Sequence, residues 1–152
     1  MGKALFLVIL IGAGIGFAMP GSRSAPARAA VEAKETVLEA SGNGHFYTHA
    51  QVNGELVRFL VDTGATDVAL TTADAERLGI PFSPDQFEVV ARGASGDVRG
   101  QRITIDKISV DGKEVTGIHG FVAEGLDISL LGQTYLSQIS GVEMSRGTMI
   151  LR

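Results

Sequence analysis

The sequence contains no cysteine and no tryptophan, and only 4 of its 152 residues are proline. Without cysteine the chain can form no disulfide, no zinc–thiolate site and no cysteine nucleophile. The absence leaves the compartment open, because a stable domain can reside in an oxidising space without using disulfides.

Clustered positive charge is also missing. The formal net charge is −4, the sequence pI is about 5.3, and no basic stripe or cluster stands out. A surface that binds nucleic acid normally carries such a cluster, so we expect no nucleic-acid partner. The length is sufficient for one domain after a tail or an anchor has been subtracted.

The chain has a single long apolar run, which lies at the N-terminus. Residues 4–19 are uncharged and apolar, follow Lys3 and end at Pro20. The run is short for a membrane-spanning helix and long for the core of a signal peptide. We expect residues 1–20 to be a membrane anchor or signal segment, and residues 21–40 to be a flexible stalk. Cleavage near Ala27 would instead release a soluble secreted form, and a buried helix is a third alternative.

Residues 41–152 predict one mostly β domain with two short helices. Apolar and polar side chains alternate over residues 46–52, Asn53-Gly54 is a strong hairpin signal, and residues 55–62 form the returning strand. Further strands are predicted at residues 68–70, 87–91, 100–110, 113–123, 128–131, 142–145 and 148–151, and helices at 73–78 and 133–139.

The most informative stretch is the apolar strand that runs into Asp62-Thr63-Gly64. Burying an unpaired charge costs several kcal/mol, so apolar runs normally exclude carboxylates. An aspartate at the end of such a strand therefore either forms a turn or is kept there for chemistry. Asp-Thr-Gly occurs once in the chain.

Residues 59–66 and the segment after them, 68–79, resemble the retropepsin-like aspartic proteases, in particular their bacterial membrane-anchored branch. Leu130-Leu131-Gly132 is similar to the second motif of that family, which lies behind the Asp-Thr-Gly loop. The resemblance covers residues 44–152. It implies an all-β fold, a closed retropepsin-like β-barrel with one or two short helices that is active as a symmetric dimer.

The function that the resemblance implies is aspartic endopeptidase activity, which uses no metal or cofactor. Two adjacent carboxylates share one proton, and the ionised member activates a water molecule. Because the chain has a single Asp-Thr-Gly, the second Asp62 would come from the other copy in a homodimer. The resemblance also implies a single-pass protein of the bacterial inner membrane, with its protease domain in the periplasm.

The resemblance assigns supporting roles around Asp62. Thr63 would form a hydrogen bond across the dimer, Gly64 would let the loop turn, and Ala65 and Thr66 would lie beside a polypeptide substrate. The glycine-rich hairpin tip would be the flap that folds over this substrate, and it consists of Gly93, Ala94, Ser95 and Gly96. The C-terminal strand, residues 148–152, is a candidate interface strand.

Simpler interpretations compete with these roles. Asp67 could be mistaken for a second carboxylate in the same chain, but a surface ion pair is the preferred interpretation. His45 and His49 share a strand face without a third metal ligand at useful spacing, which favours a solvated face. The alternative to an enzyme is a non-catalytic peptide-binding or dimerisation module of the same fold.

Overall fold

The computed structural model describes residues 33–93 and 96–152. The predicted anchor, residues 21–32 of the predicted stalk, and the flap residues Ala94 and Ser95 lie outside the described residues. Within the described residues, no helix combines the length and the apolar character that crossing a membrane requires.

Strands dominate the described residues, as the sequence predicts, and the helices are short. The strands are β1 (Thr36–Glu39), β2 (Phe46–Val52), β3 (Glu55–Val61), β4 (Val68–Thr71), β5 (Glu88–Gly93), β6 (Gly96–Val110), β7 (Lys113–Ala123), β8 (Ser129–Leu131), β9 (Val142–Ser145) and β10 (Thr148–Leu151). The helices are α1 (Thr72–Arg77), α2 (Gln133–Leu136) and a 3-10 turn at Pro84–Gln86.

Six strands close into a barrel in the order β2-β3-β8-β4-β7-β6, and β5 extends the sheet beyond β6. The barrel closes where Gln51 pairs with Ser109 and Val52 with Ile108. The β3–β8 and β4–β7 pairs are parallel, and the others are antiparallel. The predicted closed, mostly β barrel with two short helices is confirmed.

The barrel closes around an apolar core. Along β2, alternate residues are buried, so the strand presents one face to the interior. The largest fully buried side chains include Tyr135, Phe59, Leu70, Ile105 and Ile118. The predicted Asn53-Gly54 turn is also confirmed, because both residues have positive φ angles, of 51° and 94°, as a tight hairpin turn requires.

The second sheet has the order β1-β10-β9. Its strand β1 corrects the predicted start of the folded domain at Ser41, because Thr36 pairs with Leu151 and Glu39 with Thr148. The buried Lys113 ammonium also donates hydrogen bonds to the carbonyl oxygen of Lys34 and, at 2.8 Å, to the Thr36 hydroxyl. Residues 36–39 therefore belong to the folded domain and not to a stalk.

The helix after the second motif is shorter than predicted. It ends at Leu136, whereas the sequence predicts a helix up to Ile139. The Ser137 hydroxyl donates to the carbonyl oxygen of Gln133 at 2.6 Å, and the Gln138 side chain donates to that of Thr134 at 2.6 Å. Side chains that occupy backbone carbonyls in this way compete with continuation of the helix.

Candidate active site

Asp62 lies immediately after β3, on a loop of residues 62–67. The Asp62 backbone N–H donates to the carbonyl oxygen of Leu131 at 3.1 Å, which extends the parallel β3–β8 pairing by one residue. The side chain is half-buried, whereas Thr63 and Gly64 are exposed. The apolar strand therefore brings the carboxylate to the barrel surface, where it escapes the full cost of burial.

The loop turns back onto its own carboxylate. The Gly64 N–H donates to Asp62 Oδ1 at 2.9 Å, and the Ala65 N–H donates to the Asp62 carbonyl oxygen at 3.2 Å. A Cβ at residue 64 would lie 3.3 Å from Asp62 Oδ1, closer than side chains usually pack. Glycine therefore leaves this carboxylate oxygen room beside the N–H that holds it in place.

Helix α2 fixes the far side of the same loop. The Gln133 N–H donates to the carbonyl oxygen of Ala65, and the Thr134 N–H to that of Thr66, both at 2.9 Å. The Gln133 side-chain amide donates to the Thr63 carbonyl oxygen at 2.8 Å, and the Val68 N–H donates to Thr134 Oγ1 at 3.0 Å. These bonds hold the loop from both sides of its tip.

Gln133 and Thr134 are the residues that sequence reasoning missed. The available signal was their position, since they are polar side chains directly after an apolar strand and a glycine. Such a position at the first turn of a helix presents backbone N–H groups that need acceptors. What the sequence does not show is that the acceptors are the carbonyl oxygens of a loop about 70 residues earlier in the chain.

The second motif lies directly behind the loop. Leu131 is fully buried, and Leu130 lines the cleft described below. A Cβ on Gly132 would lie 2.2 Å from the Asp67 carbonyl oxygen and 2.8 Å from that of Ala65. Only glycine fits at this crossing, which explains the residue type of the motif in steric terms.

A cleft of about 640 Å³ opens above the loop. Its lining is mostly small and apolar, and the polar exceptions are Asp62, Thr66, Asp67 and Arg92. The complete lining is Asp62, Gly64, Ala65, Thr66, Asp67, Ala69, Val90, Ala91, Arg92, Gly93, Val98, Phe121, Ala123, Leu126 and Leu130. The floor thus comes from the Asp62 loop and one wall from β5.

The predicted flap corresponds to the hairpin of β5 and β6. Arg92 pairs with Asp97 and Gly93 with Gly96, so the two strands run further toward the tip than the sequence predicts. Gly96 has a backbone φ angle of 117°, which residues other than glycine rarely adopt. Of the two predicted flap residues that the structure describes, Gly93 lines the cleft and Gly96 lies opposite it across the hairpin.

Asp67 has a different environment from Asp62. Its Oδ2 lies 4.0 Å from an Arg102 guanidinium nitrogen, and its side chain is 22% exposed. Arg102 also donates to the carbonyl oxygen of Val90 at 3.1 Å. Asp67 therefore takes part in the predicted ion pair, and this pair links the floor of the cleft to the wall formed by β5.

Behind the site, a buried polar group joins α1 to β8. The Ser129 hydroxyl donates to Asp74 Oδ2 at 2.6 Å and accepts the Thr71 N–H at 3.1 Å. Burial raises the pKa of Asp74, but hydrogen bonds from Ser129, Arg77 and Thr71 outweigh it and hold that pKa below its usual value of 3.8. Ser129 is thus committed to a carboxylate and is not placed as a nucleophile.

The remaining candidates do not converge on a second site. His45 and His49 are exposed, in agreement with a solvated strand face. Within residues 33–93 and 96–152, no group of three or more His, Asp or Glu side chains could hold a metal ion. Among the predicted site residues in these ranges, the loop, the second motif and the described part of the hairpin meet at one cleft.

Comparisons with known proteins agree with this geometry. The family model described as gag-polyprotein putative aspartyl protease matches residues 48–138. An uncharacterized protein of Rickettsia prowazekii (strain Madrid E) is 37% identical over 121 residues, which is 79% of this chain and 52% of that protein. An uncharacterized protein from the cobV 5′ region of a Sinorhizobium species is 36% identical over 121 residues, 78% of this chain and 52% of that protein. The chain spans about half the length of these relatives.

Solved structures match the fold. The crystal structure of a retropepsin-like aspartic protease from Rickettsia conorii has a TM-score of 0.65 and 36% identity, covering 78% of this chain and 90% of that one. EIAV protease in complex with an inhibitor has a TM-score of 0.53 and 22% identity, covering 66% of this chain and 91% of that one, which shows likeness of fold alone. With the Asp-Thr-Gly loop, the glycine crossing behind it and these matches all in the same barrel, the chain belongs to the retropepsin-like aspartic protease family.

Proposed function

We propose that this protein is an aspartic endopeptidase in which the Asp62 side chains of two copies activate one water molecule. The observation that carries the proposal is the placement of Asp62. Its carboxylate is half-buried at the floor of a 640 Å³ cleft, and its loop is fixed by hydrogen bonds on both sides. An aspartate that only formed a turn would need neither a loop held in place by hydrogen bonds nor an apolar cleft above it.

The number of carboxylates argues for two copies. Asp62 and Asp67 are the aspartates of the cleft, and Asp67 is engaged by Arg102. Asp67 thus has an ion-pair partner within its own chain, whereas the proposed chemistry needs a second carboxylate that faces Asp62 across one water molecule. A second Asp62 from a symmetric copy supplies the missing group, and the exposed Thr63 and Gly64 leave the loop accessible to it.

The chemistry then follows from the shared proton. The ionised carboxylate accepts a proton from the water molecule as the water oxygen attacks the carbonyl carbon of the scissile peptide bond. The protonated carboxylate donates its proton to the carbonyl oxygen, which gives a tetrahedral intermediate. The C–N bond then breaks as the leaving nitrogen takes the proton that the first carboxylate accepted from water, and the second carboxylate recovers a proton from a hydroxyl group of the intermediate. The Gly64 N–H keeps one carboxylate oxygen oriented during these transfers.

The shape of the cleft favours an extended polypeptide segment. The Asp62 loop forms its floor and the β5–β6 hairpin faces this floor, so a peptide between them would lie alongside strand backbone and offer alternate side chains to each. The apolar lining, including Val90, Phe121 and Leu130, favours apolar side chains of the substrate near the scissile bond.

Cleavage of an unfolded protein substrate tests the proposal. The full chain is compared with Asp62→Asn and with Asp67→Asn, which retain side-chain size but cannot ionise. We expect Asp62→Asn to abolish cleavage and Asp67→Asn to reduce it far less. If Asp62→Asn cuts as well as the parent, Asp62 is not the catalytic carboxylate and the proposed mechanism is wrong. If a folded dimer of the parent does not cut, the protein is a non-catalytic peptide-binding or dimerisation module.

A mixing experiment tests whether two copies share the site. Asp62→Asn chains are added in increasing amounts to a fixed amount of the parent chain. Activity per parent chain should fall, because a mixed dimer has only one Asp62 carboxylate. Activity that stays constant while the chains exchange freely would contradict a shared site.

We propose further that residues 4–19 tether the enzyme to the bacterial inner membrane with the protease domain in the periplasm. The support is the uncharged apolar run itself. N-terminal sequencing of membrane-extracted protein distinguishes the alternatives. An intact Met1 or Gly2 supports the tether, whereas a new N-terminus near Ala27 indicates a released form.

A further inference from the structure

Lys113 is a buried cation that the proposed mechanism does not use. Its relative exposure is 5%, and it lies at the start of β7, directly after the Asp111-Gly112 turn. Both turn residues have positive φ angles, of 47° and 83°, as a tight hairpin turn requires. A buried ammonium group is destabilising unless hydrogen-bond acceptors replace the water that it has lost. The acceptors of Lys113 therefore show which part of the chain depends on it.

These acceptors come from the segment of residues 34–36. The Lys113 ammonium donates to the Lys34 carbonyl oxygen and, at 2.8 Å, to the Thr36 hydroxyl. The Thr36 hydroxyl in turn donates to the Asp111 carboxylate at 2.6 Å, and the Lys34 N–H donates to the Asp111 carbonyl oxygen at 3.0 Å. The β6–β7 turn thus binds both backbone groups of Lys34 and the buried side chain of Thr36.

The backbone of Lys113 leads in the other direction, to the Asp62 loop. The Tyr135 hydroxyl donates to the Lys113 carbonyl oxygen at 2.7 Å, and Tyr135 is fully buried. Tyr135 belongs to α2 and follows Gln133 and Thr134, whose N–H groups donate to the loop. One residue therefore binds the segment through its ammonium and the supporting helix through its carbonyl oxygen.

Loss of the segment would leave the Lys113 side chain in an unfavourable place. Without the acceptors of the segment, the buried ammonium would have to move toward water. Burial already lowers the pKa of Lys113 below its usual value of 10.5, although Asp111 and Glu35 act in the opposite direction. Movement of Lys113 would displace the acceptor of the Tyr135 hydroxyl, and a buried hydroxyl without a partner destabilises the helix that carries it.

We propose that Lys113 is a positioning residue that makes the Asp62 loop depend on the segment of residues 34–36. With the segment docked, Lys113 holds Tyr135 and α2 holds the loop; when the segment leaves, the loop loosens. The effect on catalysis rests on the proposed function, whereas the coupling itself does not. Release near Ala27 would keep the segment attached, so that form should be active, whereas a cut between residues 36 and 40 would separate it from the domain.

Hydrogen exchange of backbone amides, followed by NMR, measures this coupling without any cleavage. The full chain carries Asp62→Asn, so that self-cleavage plays no part. Thr36→Val removes the hydroxyl that Lys113 binds, with little change in shape. We expect the Gln133 and Thr134 N–H groups to exchange about tenfold faster than in the parent, and the amides of β2 and β3 to change much less.

Two control variants make this test specific. Thr48→Val makes the same change at another buried threonine, whose hydroxyl donates only to the carbonyl oxygen of the next residue within the described part of the chain. It should leave exchange in α2 unchanged. Thr36→Ser keeps the hydroxyl and should retain the exchange rates of the parent. Equal acceleration in Thr36→Val and Thr48→Val, or none in Thr36→Val, would overturn the inference.

Combination with Tyr135→Phe tests the route of the coupling. This change removes the hydroxyl that donates to the Lys113 carbonyl oxygen, while the segment keeps its own hydrogen bonds. If the coupling passes through Tyr135, adding Thr36→Val to this variant should accelerate exchange in α2 by less than about twofold. A second tenfold acceleration would mean that the two changes act independently, and would reject Lys113 as the positioning residue.

A reciprocal measurement leaves the buried cluster intact. Coupling between two sites acts equally in both directions, so a change that loosens the loop must also loosen the segment. Gln133→Glu removes the hydrogen bond to the Thr63 carbonyl oxygen. We expect the Lys34 N–H, which donates to Asp111, to exchange at least about threefold faster in this variant. An unchanged rate at Lys34 would contradict the coupling even if Thr36→Val did not fold.

Activity separates this inference from the proposed function. With Asp62 intact, Thr36→Val should lower kcat about fivefold with little change in KM, because the loop and not the cleft wall is affected. Cleavage by the parent, with unchanged exchange and unchanged kcat in Thr36→Val, would retain the enzyme and reject the coupling. Faster exchange in α2 of a chain that does not cleave protein would retain the coupling and reject the enzyme.

Discussion

The floor and the roof of the cleft are built in opposite ways. The floor is the Asp62 loop, whose backbone groups are bonded to Leu131, Gln133 and Thr134 in parts of the chain far away in sequence. The roof is the β5–β6 hairpin, whose strand β5 is the wall of the cleft described above and has a neighbour on one side only among the described strands. Its Arg92–Asp97 ion pair is largely exposed, with Arg92 at 81%. The Asp62 loop is thus fixed by long-range contacts, whereas the hairpin depends on local ones and can vary without disturbing the barrel.

The largest loss of stability should come from adding a side chain at Gly132, directly behind the Asp62 loop. In Gly132→Val the side chain would overlap the carbonyl oxygens of Asp67 and Ala65, and we expect a loss of about 3 kcal/mol or more in the free energy of unfolding. Gly141→Ala is the control, because no atom lies within 4 Å of its Cβ position. Equal denaturant midpoints for the two variants would show that the floor tolerates displacement.

Removing the buried hydroxyl group of Tyr135, a residue of α2, should cause the next largest loss of stability. Tyr135 is fully buried and donates to the Lys113 carbonyl oxygen at 2.7 Å, so Tyr135→Phe should cost about 1–2 kcal/mol of unfolding free energy. Burial raises the pKa of Tyr135 from 10.0 to about 12. A raised pKa gives stability that is fully present below pH 10 and is lost as the pH rises through 12. The parent should therefore lose stability over this range more steeply than Tyr135→Phe, as measured by denaturation at each pH.

Gln133→Glu tests the floor with little change in shape. It replaces the amide that donates to the Thr63 carbonyl oxygen with a carboxylate that repels it. If the enzyme acts as proposed, we expect kcat to fall about tenfold with little change in KM, since loop geometry affects the reacting carboxylate more than substrate binding. The control is Gln138→Glu. It removes an equivalent hydrogen bond, from the Gln138 side-chain amide to the Thr134 carbonyl oxygen, that lies away from the loop. Equal kcat losses in the two variants would contradict a positioning role for Gln133.

Ser129→Ala tests the support behind the floor through its pH dependence. Because the pKa of Asp74 is held below 3.8, its interactions stabilise the fold fully above that pH and are lost as the pH falls through the lower, folded value. We expect Ser129→Ala to cost about 1 kcal/mol at neutral pH. The difference from the parent should shrink below pH 3.8 as Asp74 protonates. A difference that is independent of pH would mean that the serine acts by packing alone.

The smallest effect on stability should come from the roof. Arg92→Ala removes an exposed ion pair with Asp97, and we expect the unfolding free energy to change by less than about 0.5 kcal/mol. If the enzyme acts as proposed, peptide KM is the quantity that should change, because Arg92 lines the cleft. A change in stability comparable to that of Ser129→Ala would contradict the contrast between floor and roof.

Most of the elements could be predicted from local sequence patterns. Alternation over residues 46–52 and the Asn53-Gly54 turn predict the first hairpin, because strand period and turn conformation are local properties. Predictions were less accurate at element ends: α2 is shorter than expected, and the strands of the β5–β6 hairpin are longer. At these ends, side-chain hydrogen bonds and cross-strand pairing decide the boundary.

The sequence by itself determined which residue is the candidate for catalysis. An aspartate at the end of an apolar strand, followed by Thr63 and Gly64, is chemically unusual wherever it occurs. Only the tertiary structure decided that Gln133 and Thr134 hold this loop and that Asp67 pairs with Arg102. It also decided that β10 lies inside its sheet, while β9 pairs with no other strand of the described residues. The physical reason is that hydrogen-bond acceptors, ion-pair partners and strand neighbours distant in the chain are chosen by how the barrel closes, which no local pattern encodes.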